Sequence, residues 1–201
     1  MLRWKPWLVL LLLVTLSGCS GAPLAPMPES PPPPPPAPPS VSGQPDQIIL
    51  EEALRGRALG NGEVVELSNR LLLDGNVLLG DQKTMARLEI LLLKALKAPD
   101  KVYRPALLRN LGIIHYHQGK YKKARQELQD ANELNTKDAR THFYLARLFV
   151  HEGEIYQKQG KKKISKQQFK RAAIEMEMAR KLAPGNATYR QDLQQIIQGG
   201  Q

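Results

Sequence analysis

Pro105 to Asp138, PALLRNLGIIHYHQGKYKKARQELQDANELNTKD, decides how this chain of 201 residues folds. Apolar residues recur at helical spacing on both sides of Gly119-Lys120, so the stretch reads as two helices joined by a tight turn. Gly112, Ala124 and Ala131 are small where antiparallel helices must approach closely. Leu108, Leu111 and Leu128 are large where the groove between them must be filled. Gly119 supplies the turn, where a left-handed backbone conformation is easy for glycine.

Moved forward by its own length of about 34 residues, the frame meets His142, Leu145, Ala146, Phe149 and Gly153. Its second half returns late, as Ala172, Met176, Ala179 and Pro184. The small residue found at Ala172 is due at Lys158, which leaves about fourteen inserted residues, room for about four turns of helix. Gly153 to Gln168 reads as an extension of the two helices or as a basic loop, protruding from the stack. Moved backward, from Ser68 to Lys101, the frame finds Leu71, Gly75, Leu78, Leu91 and Pro99 in suitable places. It also puts Asp74 where a large apolar residue is wanted and Arg87 where a small one is, so this is a degenerate repeat. Elsewhere, apolar residues keep helical spacing in Ile48–Leu59, Val64–Leu79, Met85–Leu96 and Leu107–Tyr116. Gly60-Asn61-Gly62, Gly80-Asp81, Ala98-Pro99-Asp100 and Pro184-Gly185-Asn186 punctuate them as turns, and Ala187–Gln198 suits a capping helix.

The order large, large, small, turn glycine, small, large, small resembles the tetratricopeptide repeat. Thr136 stands where that family usually has proline, and His115 where it usually has an aromatic. The resemblance implies an all-α fold, a short solenoid of helix hairpins. It also implies a concave surface lined by the first helix of each repeat, on which a peptide or helix is bound. The family's exposed first-helix positions fall here on Ala106, Arg109, Ile113, Tyr116 and His117, then on Arg140, Phe143, Arg147, Val150 and His151. Three arginines, two aromatics and two histidines on one groove suit an acidic or C-terminal peptide with an apolar anchor. The alternative is that the arginines are solvated or paired with Glu133, Glu152 and Asp138.

At the other end of the chain, Arg3 and Lys5 precede an apolar run from Trp7 to Leu16, followed by Ser17-Gly18-Cys19, the single cysteine. About ten apolar residues are too few to span a bilayer, which takes about 20, so the run reads as a signal-peptide core. The stretch resembles a bacterial lipoprotein leader, residues 1–18, with lipidation at Cys19. That resemblance implies a diacylglycerol thioether and an N-acyl chain, palmitate in kind, holding the protein stably on a membrane. Ser20 after the cysteine implies sorting to the outer membrane, facing the periplasm. From Cys19 to Pro45 the chain is proline-rich, with six consecutive prolines at 31–36 and one charge, Glu29. Such a segment forms no core and favours a solvated, disordered polyproline II rod, about 80 Å long when extended. It reads as a stiff tether, as a plain spacer, or as a proline-rich ligand. Residues 46–101 then form a helical segment with the degenerate repeat, and 102–198 the repeats, with a basic insertion at 154–168.

Charge is uneven. Residues 101–201 carry 20 basic against 9 acidic side chains, whereas 46–100 carry 7 against 9. Lys158, Lys161, Lys162, Lys163, Lys166, Lys170 and Arg171 crowd a stretch with no acid from Ile155 to Ile174. Anionic lipid headgroups, acidic polysaccharide, teichoic-type polymers or an acidic protein face would suit it, or it is a solvated helix face. Nucleic acid is not expected for an exported protein whose lysines lack interleaved aromatics. No phosphate-binding loop, nucleophile elbow or HExxH motif occurs. His115 and His117 point to different helix faces, so neither an enzyme, a metal site nor a cofactor is expected. The reading is a membrane-anchored scaffold that binds a protein partner and helps assemble an envelope machine. The nearest class by resemblance is the pilotins of type IV pili and secretion pores. Alternatives are a regulator of peptidoglycan synthesis and a polysaccharide-binding, surface-organising lipoprotein.

Overall fold

The computed structural model describes residues 44–73 and 76–199, with side chains from 45 to 73 and 76 to 196. The leader, Cys19, the linker as far as Gly43 and the Asp74-Gly75 pair lie outside the described residues. Among those described there are eight α-helices, one 3-10 turn and no strand. The all-α hairpin solenoid expected from the repeat frame is the fold.

Helix α1 (Gln44–Leu54) takes Pro45 into its first turn, where the missing N–H would have no helical partner anyway. Helix α2 (Asn61–Leu71) stops earlier than the apolar periodicity of Val64–Leu79 suggests, and a 3-10 turn follows at Val77–Gly80. Asn76 explains the break. Its amide donates to the Arg70 carbonyl at 2.9 Å, closing α2, and its oxygen accepts from Leu78 N–H at 2.9 Å, opening the 3-10 turn. Asp81 then N-caps α3 (Gln82–Ala95), accepting from Thr84 N–H at 3.0 Å. Arg87, too large for its place in a regular repeat, reaches Glu51 of α1 at 2.8 Å.

Two hairpins follow, α4 (Arg104–His117) with α5 (Tyr121–Leu134), and α6 (Ala139–Lys158) with α7 (Lys162–Leu182). Both turn through Gln-Gly-Lys. Gly119 and Gly160 share φ +72°. Lys120 N–H bonds the His115 carbonyl at 2.8 Å, and Lys161 N–H the Tyr156 carbonyl at 2.9 Å. The inserted residues therefore do not form a loop. They lengthen each arm of the hairpin by seven positions of the frame, moving the turn from Gly153, where the regular frame had it, to Gly160. Seven residues are nearly two whole turns, with a drift of only about 20°, so the inward face stays inward. The tip repeats the packing of the short hairpin: a Cβ at Gly112 would lie 2.7 Å from Leu128 Cγ, and one at Gly153 3.0 Å from Phe169 Cε2. Helix α8 (Ala187–Gly199) closes the stack on α7. One apolar core runs through it all, from Leu50 through Leu92, Ile114, Leu128, Tyr144 and Met176 to Ile196.

Candidate functional site

Side chains from α4, α6, α7 and α8 surround an open groove of about 500 Å³. Tyr116 stands at one wall; Arg147, Val150, His151, Glu154 and Gln157 run along α6; Phe169 forms part of the lining; Asp192, Gln195 and Ile196 of α8 face them. The α6 residues share a face because they recur at helical spacing. Apolar surface from Tyr116, Val150, Phe169 and Ile196 thus lies among two acids, an arginine and a histidine. Such a mixture suits a peptide carrying an apolar side chain and polar flanks.

An aromatic chain stiffens this wall. Tyr116 meets Tyr144 edge-on at 5.4 Å and Tyr121 at 5.7 Å, while His151 lies over Tyr121 at 3.9 Å. His117 Nε2 is 3.1 Å from the Tyr144 hydroxyl. Burial raises the Tyr116 phenol above its ordinary range, so it stays neutral.

Of the residues expected to bind a partner, the structure brings Tyr116, Arg147 and His151 into this groove. His117 lines a second hollow of about 450 Å³, with Leu79, Met85 and Lys120. The other three are used in packing. Phe143 is only 1% exposed, stacked on Tyr189 of α8 at 4.8 Å. Arg109 is drawn into a network joining α2 to α4 and to the start of α6: it donates to Asn69 at 2.6 Å, Asn110 at 2.9 Å and Asp138 at 3.2 Å. Burial holds its pKa below the ordinary guanidinium value against the opposing pull of Asp138. Arg140 donates to the Leu72 carbonyl at 2.6 Å, tying α6 to the end of α2. These corrections share one cause: other helices of the stack, α2 and its end for the two arginines and α8 for Phe143, cover positions that a single hairpin would leave open. Arg147 sits between, its guanidinium 5.0 Å over the Phe143 ring and 3.8 Å from Asp192.

Glu154, Gln157, Asp192, Gln195 and Ile196 were not anticipated. The first two continue the Arg147 face by helical spacing, a signal present once the insertion is read as helix. The α8 residues carry none, since nothing local says which face of a last helix turns inward.

The remaining histidines are fixed by carboxylates. His115, 3% exposed, has Nδ1 2.5 Å from Glu127 and Nε2 3.1 Å from Glu89. His142 has Nδ1 2.6 Å from Glu175 and donates through Nε2 to the Thr136 carbonyl at 3.0 Å. Only the doubly protonated ring satisfies acceptors on both sides. Burial pushes His115 down but its two carboxylates win, and Glu175 chiefly raises His142. Among the described residues no three His, Cys, Asp or Glu side chains are placed to hold a metal, and no helix is long and apolar enough to cross a membrane.

The basic residues fall on the long hairpin: Lys158 ends α6, Lys161 is in the turn, and Lys162, Lys163, Lys166, Lys170 and Arg171 are on α7, all exposed. Lys161 and Arg171 lie over the Tyr156 and Phe149 rings at 5.7 and 5.9 Å.

The tetratricopeptide repeat family matches this chain at residues 105–138. No curated protein matches it. The chain therefore contains a tetratricopeptide repeat over those residues. Repeats of that family generally mediate protein–protein interactions and are usually without catalysis of their own, which supports a protein-binding role.

Proposed function

We propose that this chain is a lipid-anchored scaffold whose concave groove holds a segment of a protein partner while an envelope machine of the pilus or secretion type is assembled. The observation that carries the binding role is the groove lined by α4, α6, α7 and α8, walled by Tyr116, which packs against both Tyr144 and Tyr121. An apolar side chain of the partner sits against Tyr116, Val150 and Ile196, and an acidic group is taken by Arg147. Cys19 behind its apolar leader supports the anchor, and Ser20 supports the outer membrane, facing the periplasm. A second reading, regulation of peptidoglycan synthesis, draws on the proline-rich segment, whose reach suits a partner at a distance from the membrane.

A photocrosslinker at Gln195, compared between the native chain and the Tyr116→Ala/Arg147→Glu variant, tests the groove. Pilus or secretion components crosslinked only by the native chain support the first reading, and murein synthases would replace it with the second. Equal crosslinking by both chains would remove the groove from either. Cys19→Ser is expected to move the protein from the membrane to the soluble fraction; unchanged membrane retention would defeat the anchor alone.

A further inference from the structure

The surface of α7 that faces away from the stack has no role in the groove. Its inward positions, Ser165, Phe169, Ala172, Met176 and Ala179, are buried, and Ser165 donates to the Gly153 carbonyl at 2.8 Å. Opposite them the helix carries two adjoining stripes. Lys163, Lys166 and Lys170, spaced i, i+3, i+7, form one; Ile164, Arg171, Ile174 and Met178 form the other. The aliphatics are far from satisfied: Ile164, Ile174 and Met178 are 40%, 56% and 37% exposed. No carboxylate occurs from Ile155 to Ile174. The basic face ends where Arg180 and Lys181 are paired with Glu177, at 2.6 and 3.8 Å.

We propose that the outward face of α7 docks along the surface of a bilayer rich in anionic phospholipid. A helix of 21 residues offers a line of contact about 30 Å long. Its cations meet the headgroup phosphates on flexible stems, while Ile164, Ile174 and Met178 enter the boundary with the acyl chains. A soluble acidic polymer would use the lysines and gain nothing from the aliphatics. The two-turn extension serves the same end, because it carries the hairpin tip, with Lys158, Lys161 and Lys162, about 10 Å past the end of the short hairpin. The seating needs no unfolding, since the docking and packing faces of α7 are opposite. It depends neither on Cys19 nor on the groove, and leaves the groove on other helix faces.

The test uses residues 20–201, which omit the leader and lipidation site and keep the whole core, Leu50 to Ile196. Sedimentation with vesicles of phosphatidylcholine containing phosphatidylglycerol is expected to retain the protein at low salt, and vesicles of phosphatidylcholine alone are not. Because each cation at an anionic surface strengthens binding about five-fold, Lys163→Glu/Lys166→Glu/Lys170→Glu is expected to weaken it by at least about a hundred-fold. Ile164→Ser/Ile174→Ser is expected to weaken vesicle binding several-fold and to leave binding to dextran sulfate unchanged. Far-UV circular dichroism checks that both variants keep their helices. Equal sedimentation with uncharged vesicles, or retention by the triple variant, overturns the proposal. Isoleucine substitutions without effect on vesicle binding overturn it in favour of an acidic polymer or protein face.

Discussion

The short hairpin α4–α5 and the long hairpin α6–α7 are built on one plan and put to different uses. Both turn through Gln-Gly-Lys with glycine at φ +72°. Both cross where glycine faces a large apolar side chain, Gly112 on Leu128 and Gly153 on Phe169. Each also buries one histidine against glutamate, His115 on Glu127 and His142 on Glu175. The long hairpin adds seven residues to each arm, and because seven residues return nearly to the same face, the second crossing stacks on the first without turning the helices. The comparison teaches that a repeat can grow outward in heptads at little cost to the core, and that the added length is free to acquire a surface of its own. Here that surface is basic.

The largest effect that separates the two hairpins is expected at their crossings. Leu128 is fully buried in the short hairpin, so Leu128→Ala is expected to cost about 3 kcal/mol in urea unfolding. A loss under about 1 kcal/mol would mean that this crossing does not hold the stack.

Next come the glycines. Gly112→Ala forces a methyl to 2.7 Å from Leu128 Cγ, at the root of that side chain, and is expected to destabilise by about 1–2 kcal/mol after the gain in helix propensity. Gly153→Ala meets the Phe169 ring at 3.0 Å or more, nearer the end of the hairpin, where a small ring shift suffices. Its net change is expected within about 0.5 kcal/mol of zero, because helix propensity returns roughly what the contact takes. Equal urea midpoints for the two variants would break the comparison.

The histidines give a pH test. Each has a raised folded pKa, so its contribution is fully present below the unfolded value of about 6.5 and is lost as pH rises through the folded value. Stability measured from pH 6 upward is therefore expected to fall. Substituting either histidine with glutamine is expected to flatten the slope, His115 the more because it faces two carboxylates. A slope unchanged in both variants would show that the rings are not charged in the folded state.

The most drastic edit tests the comparison as a whole. Deleting residues 154–167 joins His151-Glu152-Gly153 to Gln168-Phe169-Lys170-Arg171-Ala172, which matches His117-Gln118-Gly119-Lys120-Tyr121-Lys122-Lys123-Ala124 in pattern. The shortened hairpin is expected to turn at Gly153 and unfold cooperatively, with a smaller loss than Leu128→Ala, while vesicle binding weakens with the departed lysines. Loss of cooperative unfolding would show that the two lengths are not interchangeable.

That edit also explains what was legible in the chain. The spacing of Leu108, Gly112, Gly119, Ala124 and Leu128 sufficed for the hairpin, and the late return at Ala172 measured the insertion. Whether Gly153 to Gln168 extends the helices or forms a loop stayed open because Gly153 fits both frames: with the insertion removed it is the turn glycine, and with the insertion present it is a contact inside α6. Local sequence cannot separate the two, since a heptad leaves the pattern of small and large residues unchanged. The binding residues divided for a different reason. Frame positions assign a direction on one hairpin, and Phe143 and Arg109 point as assigned. What they meet there is Tyr189 of α8, and Asn69 and Asp138, rather than solvent.

The sequence by itself determined the helices, their hairpin pairing, the length of the insertion and the concentration of basic charge, because each depends on residues close together in the chain, read through helical period and turn chemistry. Only the tertiary structure decided which first-helix side chains remained in a groove, which became struts, and that α7 kept an outward face of lysine and isoleucine. Those outcomes depend on where α8 and α2 lie against α6 and α4. Packing between elements distant in sequence is settled by shape and burial summed over the whole stack, and no single repeat carries that information.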